Sequence, residues 1–296
     1  VRGMDLGKTP TSKMPQCSTC DAVKFRKRAF SSAVKLEARA KMLLECVHSD
    51  MAVQMRTSVR GYTGFALFID EASRHVTCVP IKKKTECFAA WCDYLTHMQH
   101  ATGERVKRLH SDNGGVHVSG IMQRYNANLG IKQTFSPPRT AQLNSIAERA
   151  IGVLKQNVRA ILKHAGMSGS WWCWAIRTAT YLRNRSANTN SVYYPLTSHE
   201  VLYGSAPHVG HLRVPFCIGA CLVHPEDRND KSLGDRSEPC RLLAFDEHRP
   251  GVYEVLLARG RTTRTTHARF YEDLFDFKDP RAAEMLAAGE LKYTGE

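Results

Sequence analysis

The chain has 296 residues, 43% apolar and 24% charged, enough to bury a core and too apolar for global disorder. Lys and Arg number 42 against 28 Asp and Glu, a formal charge of +14 that favours a polyanionic partner, nucleic acid first. No run of 18 apolar residues occurs, so no membrane-spanning helix is expected; ten cysteines are too sparse for a disulfide scaffold and suit a reduced, intracellular setting.

Residues 1–40 read as a basic leader, with "VKFRKRAF" and "VKLEARAK" rich in cations and poor in periodicity. Within it Cys17 and Cys20 form a C-x-x-C pair. Two thiolates at this spacing can grip a zinc ion, but a structural site needs four ligands, and no His or Cys precedes Cys17. The first residue is not Met and "ELKYTGE" is no obvious stop, so a piece of a longer polypeptide is expected.

From residue 43 the pattern becomes that of alternating elements. "LLECVHSD" is a short strand ending at Asp50, and "GFALFIDEASR" with "HVTCVPIK" reads as a hairpin. "KTECFAAWCDYLTHMQHATG" has helical spacing and a stop at Gly103; "RVKRLHSD" returns to a strand. A short helix ending at Gly130, the strand "IKQTFS" and a long helix over "TAQLNSIAERAIGVLKQNVRAILKHAG" follow. Two more helices are predicted at "SWWCWAIRTATYLRNRS" and "PLTSHEVLYG". The order β-β-β-α-β-α-β-α-α-α predicts a mixed sheet with helices on its faces over residues 41–204. After that, "CIGACLVHP", "PCRLLAFDEH", "GVYEVLLAR" and "RTTRTTHARFYED" are turn-separated strands, predicting a small β-barrel over 205–275 and a tail over 276–296.

Three acids stand at element ends or beside them. Asp50 closes the first strand, Asp112 closes the fourth, and Glu148 lies in the long helix. "SDNGG" also has the chemistry of a plain turn, since Asp, Asn and a Gly pair all favour one. Ligands gather outside strand ends in mixed sheets, so two strand-terminal Asp residues come close if their strands are neighbours. Three converging carboxylates repel unless a cation joins them, and oxygen ligands without thiolates favour Mg²⁺ or Mn²⁺. On the long helix Ala147, Ile151, Leu154, Val158 and Ile161 make the packing stripe, while Glu148, Gly152, Lys155 and Arg159 form a second one. That second stripe offers an acid, a gap and two cations suited to phosphates.

Other residues compete for these roles. Asp70 is also strand-terminal. His48 and His110 each precede a candidate Asp by two positions, placing them on its face of the strand as packing or orienting groups. Trp171, Trp172 and Trp174 suit a helix core better than base stacking, and Cys173 has no local His and acid to activate it.

Asp50 in "HSDM", Asp112 in "HSDNGG" and Glu148 in "NSIAER", with 35 residues between the last two, resemble the D,D-35-E triad of retroviral-type integrases. The likeness is to the copia-type (Ty1/copia) retrotransposon integrase encoded in a Pol polyprotein. "CSTC", "GFALFIDEASR", "SPPRTAQLNSIAERAIGVLK", "WWCWAIRTATYLRNR" and "YGSAPHVGHLRVPFC" agree in order, so the resemblance runs from about residue 17 to 275. It implies an RNase H-like fold followed by an SH3-like β-barrel. It further implies Asp50, Asp112 and Glu148 as ligands of two Mg²⁺ (or Mn²⁺) ions, and 3′-end processing and strand transfer of element DNA into target DNA. Asn144, Lys155 and Arg159 would touch DNA. "CSTC" looks like the end of a His-His-Cys-Cys zinc domain, so Zn²⁺ at Cys17 and Cys20 depends on His ligands this sequence does not contain. The implied partners are element and target DNA, further copies of the chain and other Pol products such as reverse transcriptase, with no membrane; the implied location is the nucleus after a cytoplasmic particle stage. Val116 stands where the family usually carries an acid, and Leu143 and Ser145 replace its usual Gln and Gly. These departures keep two alternatives open: a catalytically decayed nucleic-acid-binding segment, and an RNase H-like nuclease.

Overall fold

The computed structural model describes residues 39–112, 114, 116–136, 145–223, 226, 236–258 and 260–281. The chain separates into two compact units, residues 1–159 with 179–207, and residues 160–178 with 208–296.

The first unit is built on five strands, β1 (Val47–Ala52), β2 (Gly64–Asp70), β3 (Val76–Ile81), β4 (Arg108–Ser111) and β5 (Lys132–Phe135), in the order β3-β2-β1-β4-β5. β1 to β3 form an antiparallel meander, and β4 and β5 add in parallel on the other side of β1. Parallel neighbours need a crossover, and the helices α1 (Cys87–Thr102) and α2 (Gly120–Asn128) supply one each. Both end as the sequence predicts, with Gly103 at φ +72° and Gly130 at φ +71°, a conformation that favours a residue lacking Cβ. All seven residues of β2 are buried, which explains its almost unbroken apolar run. Trp91, Tyr94 and Met98 of α1 cluster with Phe68 of β2, Leu109 of β4 and Met122 of α2. The Trp91 and Tyr94 rings stack at 5.5 Å, and Phe68 meets Trp91 at 5.4 Å. Truncating a ring such as Trp91 would cost about 3–5 kcal/mol, so this cluster is a main source of the unit's stability.

Helices α3 (Ser145–His164), α4 (Trp172–Asn184) and α5 (Ser198–Tyr203) follow β5, completing the predicted order. The start of the long helix predicted from residue 140 lies outside the described residues. Ala147, Ile151, Leu154 and Val158 are buried as expected, but Ile161 is only half-buried and the stripe turns toward Leu162. Trp172, Trp174 and Cys173 are buried, so the aromatic start of α4 is core and not a stacking platform.

The second unit holds a five-stranded antiparallel sheet of β6 (Ile218–Leu222), β7 (Ser237–Phe245), β8 (Tyr253–Leu257), β9 (Thr262–Thr265) and β10 (Ala268–Tyr271). The segment "RTTRTTHARFYED", expected as one strand, breaks into β9 and β10. These two occupy opposite edges of the order β10-β6-β7-β8-β9, yet only two residues join them. Three Cα steps reach at most about 11 Å, whereas a flat sheet would hold its edges about 19 Å apart. The sheet is therefore rolled, helped by a bulge between Leu242 and Ala244, in keeping with an SH3-like barrel. Arg177 of α4 forks onto Glu254 of β8 at 2.7 and 2.9 Å, and Arg264 reaches the same carboxylate at 2.9 Å.

Candidate active site

β1 and β4 run parallel with Ser49 paired to Ser111. Asp50 is the next residue on β1, but it does not close the strand as the sequence predicts: pairing with β2, where Asp50 faces Leu67, carries β1 on to Ala52. Asp112 is the first residue beyond β4, so the two acids stand at the same level of neighbouring strands, one inside β1 and one past the end of β4. Burial first, then the charges of Asp112 and Glu148, push the Asp50 carboxyl from an ordinary 3.8 up to about 6 against the opposing pull of His117. The backbone N–H of Met51 donates to its Oδ1 at 2.7 Å and partly offsets this. Glu148 lies exposed in the first turn of α3, so the field at Asp50 joins all three predicted acids.

Asp112 is held differently. The His117 Nδ1–H donates to its Oδ1 at 3.0 Å, and the Gly114 N–H donates to the same oxygen at 3.1 Å. The His117 hydrogen bond holds its carboxyl below the usual carboxylate range. Oδ2 has no hydrogen-bond donor among the described residues, and half of the side chain is exposed. Gly114 is required by close approach, because a Cβ there would sit 2.9 Å from Oδ1.

His117, which the sequence reading did not single out, is the side chain that bonds Asp112. Its ring is fully buried and also meets Ser49 Oγ at 3.0 Å through Nε2. A polar side chain between Val116 and Val118, just after a strand-terminal acid, was the available signal.

The rivals resolve by their partners. Asp70 is fully buried and accepts from Leu44 N at 2.9 Å and from Ser73 N and Oγ at 2.7 Å, so it closes the β2–β3 turn. Antiparallel pairing sets Asp70 opposite Val47, three residues down β1 from Asp50, or about 10 Å away. His48 turns to Glu71 at 3.2 Å, and His110 to Thr134 and Ser136 at 3.0 Å each. Cys46, His48 and Glu71 form a buried cluster whose ligand atoms lie within 4.8 Å of one another. The Arg108 guanidinium, hydrogen-bonded to Cys46 and 3.9 Å from Glu71, already brings it a positive charge, and burial pushes the Cys46 thiol up to about 12. Lys155 is half-buried and Arg159 exposed on α3, while Asn144, Cys17 and Cys20 lie outside the described residues.

The described residues contain no helix long and apolar enough to cross a membrane. Residues 11–141 match the integrase core domain family, a span that contains Asp50 and Asp112 but stops before Glu148. The chain is 32% identical over 237 residues, 78% of its length, to a retrovirus-related Pol polyprotein from transposon TNT 1-94 of Nicotiana tabacum. It is 26% identical over 268 residues to the one from transposon RE2 of Arabidopsis thaliana, covering 90% of the chain. It spans only 17% and 18% of those two relatives' lengths. Among solved structures it is similar to a simian T-cell lymphotropic virus intasome in complex with PP2A regulatory subunit B56 gamma (14% identity, 86% of this chain and 87% of that one, TM-score 0.47). Another is the HTLV-2 integrase catalytic core domain in complex with magnesium (18% identity, 55% and 99%, TM-score 0.42). The family match and the Pol relatives agree: this chain contains an integrase core domain and is similar to the Pol polyproteins of transposons.

Proposed function

We propose that the chain is the integrase segment of a retrotransposon Pol polyprotein, and that it processes element-DNA 3′ ends and joins them to target DNA with Asp50, Asp112 and Glu148 holding two divalent cations, Mg²⁺ or Mn²⁺. The observation that carries this is the setting of Asp50: a mostly buried carboxyl beside two further carboxylates, offset by the Met51 N–H and the His117 ring and, among the described residues, with no Lys or Arg paired to it. Such a set is unfavourable as it stands and becomes favourable around a hard cation. The donor set fits: carboxylates alone, one pinned with an oxygen left over, one on an exposed helix turn. When bound, such ions lower the pKa of an attacking hydroxyl and stabilise charge on the phosphorus under attack.

The chain's own residues supply the rest. Asp112 and Asp50 are fixed by the sheet, so the ligand spacing is set before DNA arrives. By this reading Lys155 and Arg159, further along the helix that carries Glu148, contact backbone phosphates, and so does Asn144. The +14 charge draws the polyanion in. By the same reading the chain acts as a homo-multimer on two DNA partners, alongside other Pol products such as reverse transcriptase, and works in the nucleus after a particle stage in the cytoplasm. Zinc at Cys17 and Cys20 would need ligands from a preceding segment.

The test is a strand-transfer assay with labelled element-end DNA in Mg²⁺ or Mn²⁺. Joining by the wild type and its loss in Glu148→Gln and Asp112→Asn, with salt-dependent DNA binding retained, supports the proposal. Joining that survives either change overturns the ligand assignment. Binding without joining in either metal means a decayed element, and cutting without joining means a nuclease.

A further inference from the structure

We infer that His117 is a positioning residue for the reaction: it locks the Asp112 carboxylate in one orientation and ties it to β1, presenting Oδ2 to a bound cation. The inference rests on the reading of Asp112 as a ligand and adds a residue to it.

The ring is fully buried and has two polar contacts. A carboxylate can only accept, so the nitrogen facing Asp112 Oδ1 at 3.0 Å, Nδ1, carries hydrogen. In the neutral ring Nε2 is then the acceptor, and the Ser49 hydroxyl donates to it at 3.0 Å. Ser49 is itself fully buried on β1, directly before Asp50, and is paired with Ser111, directly before Asp112. One imidazole therefore links the two neighbouring strands that lead to two of the proposed ligands. Strand pairing sets the backbone spacing, but the carboxylate's own rotamer is free to turn without such a link.

His117 is itself held from behind. Its backbone N–H donates to Gly114 O at 2.9 Å, and its carbonyl accepts from Gln133 Nε2 at 2.6 Å. Gln133 Oε1 accepts from Asn126 Nδ2 at 3.1 Å, and Asn126 Oδ1 accepts from Trp91 Nε1 at 2.8 Å. Trp91 is wholly inside the core, so a chain of hydrogen bonds runs from the main hydrophobic cluster to the segment that steers Asp112. With Oδ1 engaged by two donors, the geometry assigns Oδ2 as the oxygen offered outward. Groups that orient a metal ligand in this way are worth about 10–100-fold in metal affinity.

The experiment compares Mn²⁺ binding, by electron paramagnetic resonance of free Mn²⁺, with strand transfer and thermal unfolding. The proteins are the wild type, His117→Phe, His117→Asn, Ser49→Ala and Asp112→Asn. His117→Phe keeps volume and loses both contacts; His117→Asn returns a donor at the Nδ1 position. The expected result is Mn²⁺ affinity about 10–100-fold weaker in His117→Phe, with most of it recovered in His117→Asn. Ser49→Ala should show a smaller loss, and joining by His117→Phe should return at high Mn²⁺. Wild-type Mn²⁺ affinity in a folded His117→Phe, or an equal loss in Phe and Asn variants, overturns the inference. If His117→Phe does not fold, Ser49→Ala and His117→Asn decide it, since an unchanged affinity in Ser49→Ala also overturns the link to β1. Mn²⁺ binding indifferent to Asp112→Asn overturns the ligand assignment itself, which separates failure of the site from failure of His117 alone.

Discussion

Asp50→Asn should stabilise the metal-free protein, which is the reverse of what removing an ordinary buried charge-bearing contact does. The wild-type carboxyl is pushed from 3.8 to about 6, mainly by burial and then by Asp112 and Glu148. Two pKa units correspond to about 3 kcal/mol against the folded state once the group is ionised. Asn keeps an acceptor for the Met51 N–H and removes the charge, so a gain of about 1–3 kcal/mol is expected at pH 8 in EDTA. Its pH dependence has a defined sign. Below about pH 4 the wild-type carboxyl is protonated in folded and unfolded chains alike, and the two proteins differ least. Between about pH 4 and 6 the unfolded chain gives up its proton first, so the wild type loses stability as pH rises, and above pH 6 the gap is complete. Urea unfolding of both proteins across this range, with and without Mn²⁺, measures the effect. Mn²⁺ should restore the wild type and leave Asp50→Asn almost unmoved, because the ion binds only where the charge remains. A variant less stable than wild type at pH 8, or a gap independent of pH, would refute the view that these acids are arranged for a cation.

Gly114→Ala places a methyl 2.9 Å from Asp112 Oδ1 and should weaken Mn²⁺ binding about tenfold with little change in thermal midpoint, read by titration and circular dichroism. Asp70→Ala strands the Leu44 and Ser73 donors in a fully buried site and should cost about 3–5 kcal/mol in urea unfolding, while the Mn²⁺ response of the folded fraction stays intact. Glu254→Ala removes the shared partner of Arg177 and Arg264, and unfolding of the second unit should come about 3 kcal/mol earlier, with Arg264→Ala much milder because that side chain is 57% exposed. Lys155→Ala and Arg159→Ala should each lower the slope of log affinity for DNA against log salt by about one, measured by fluorescence anisotropy; an unchanged slope would remove these cations from the DNA path.

Much of the frame was legible from local pattern. The β-β-β-α-β-α-β-α-α-α order, the stops at Gly103 and Gly130 and the apolar run of β2 all follow from periodicity and backbone preference, which act over a few residues. The acids at strand ends were visible too, since a strand that stops at Asp followed by Asn-Gly-Gly exposes its last carboxylate whatever lies around it. Local pattern did not separate β9 from β10, because "RTTRTTHARFYED" alternates without a strong turn signal. Nor did it order the candidates: Asp70 looked as good a strand-terminal acid as Asp50. Pairing decides between them, since antiparallel β2 carries Asp70 to the far end of β1, where backbone donors claim it. His117 is the other case. Its partner Ser49 is 68 positions away in the chain, and no spacing rule reaches that far. By itself the sequence determined the elements, the excess of positive charge and the acids available for chemistry. Only the tertiary structure decided which acids share a field and what holds them, because hydrogen bonds and burial depend on neighbours that strand pairing brings together from distant parts of the chain.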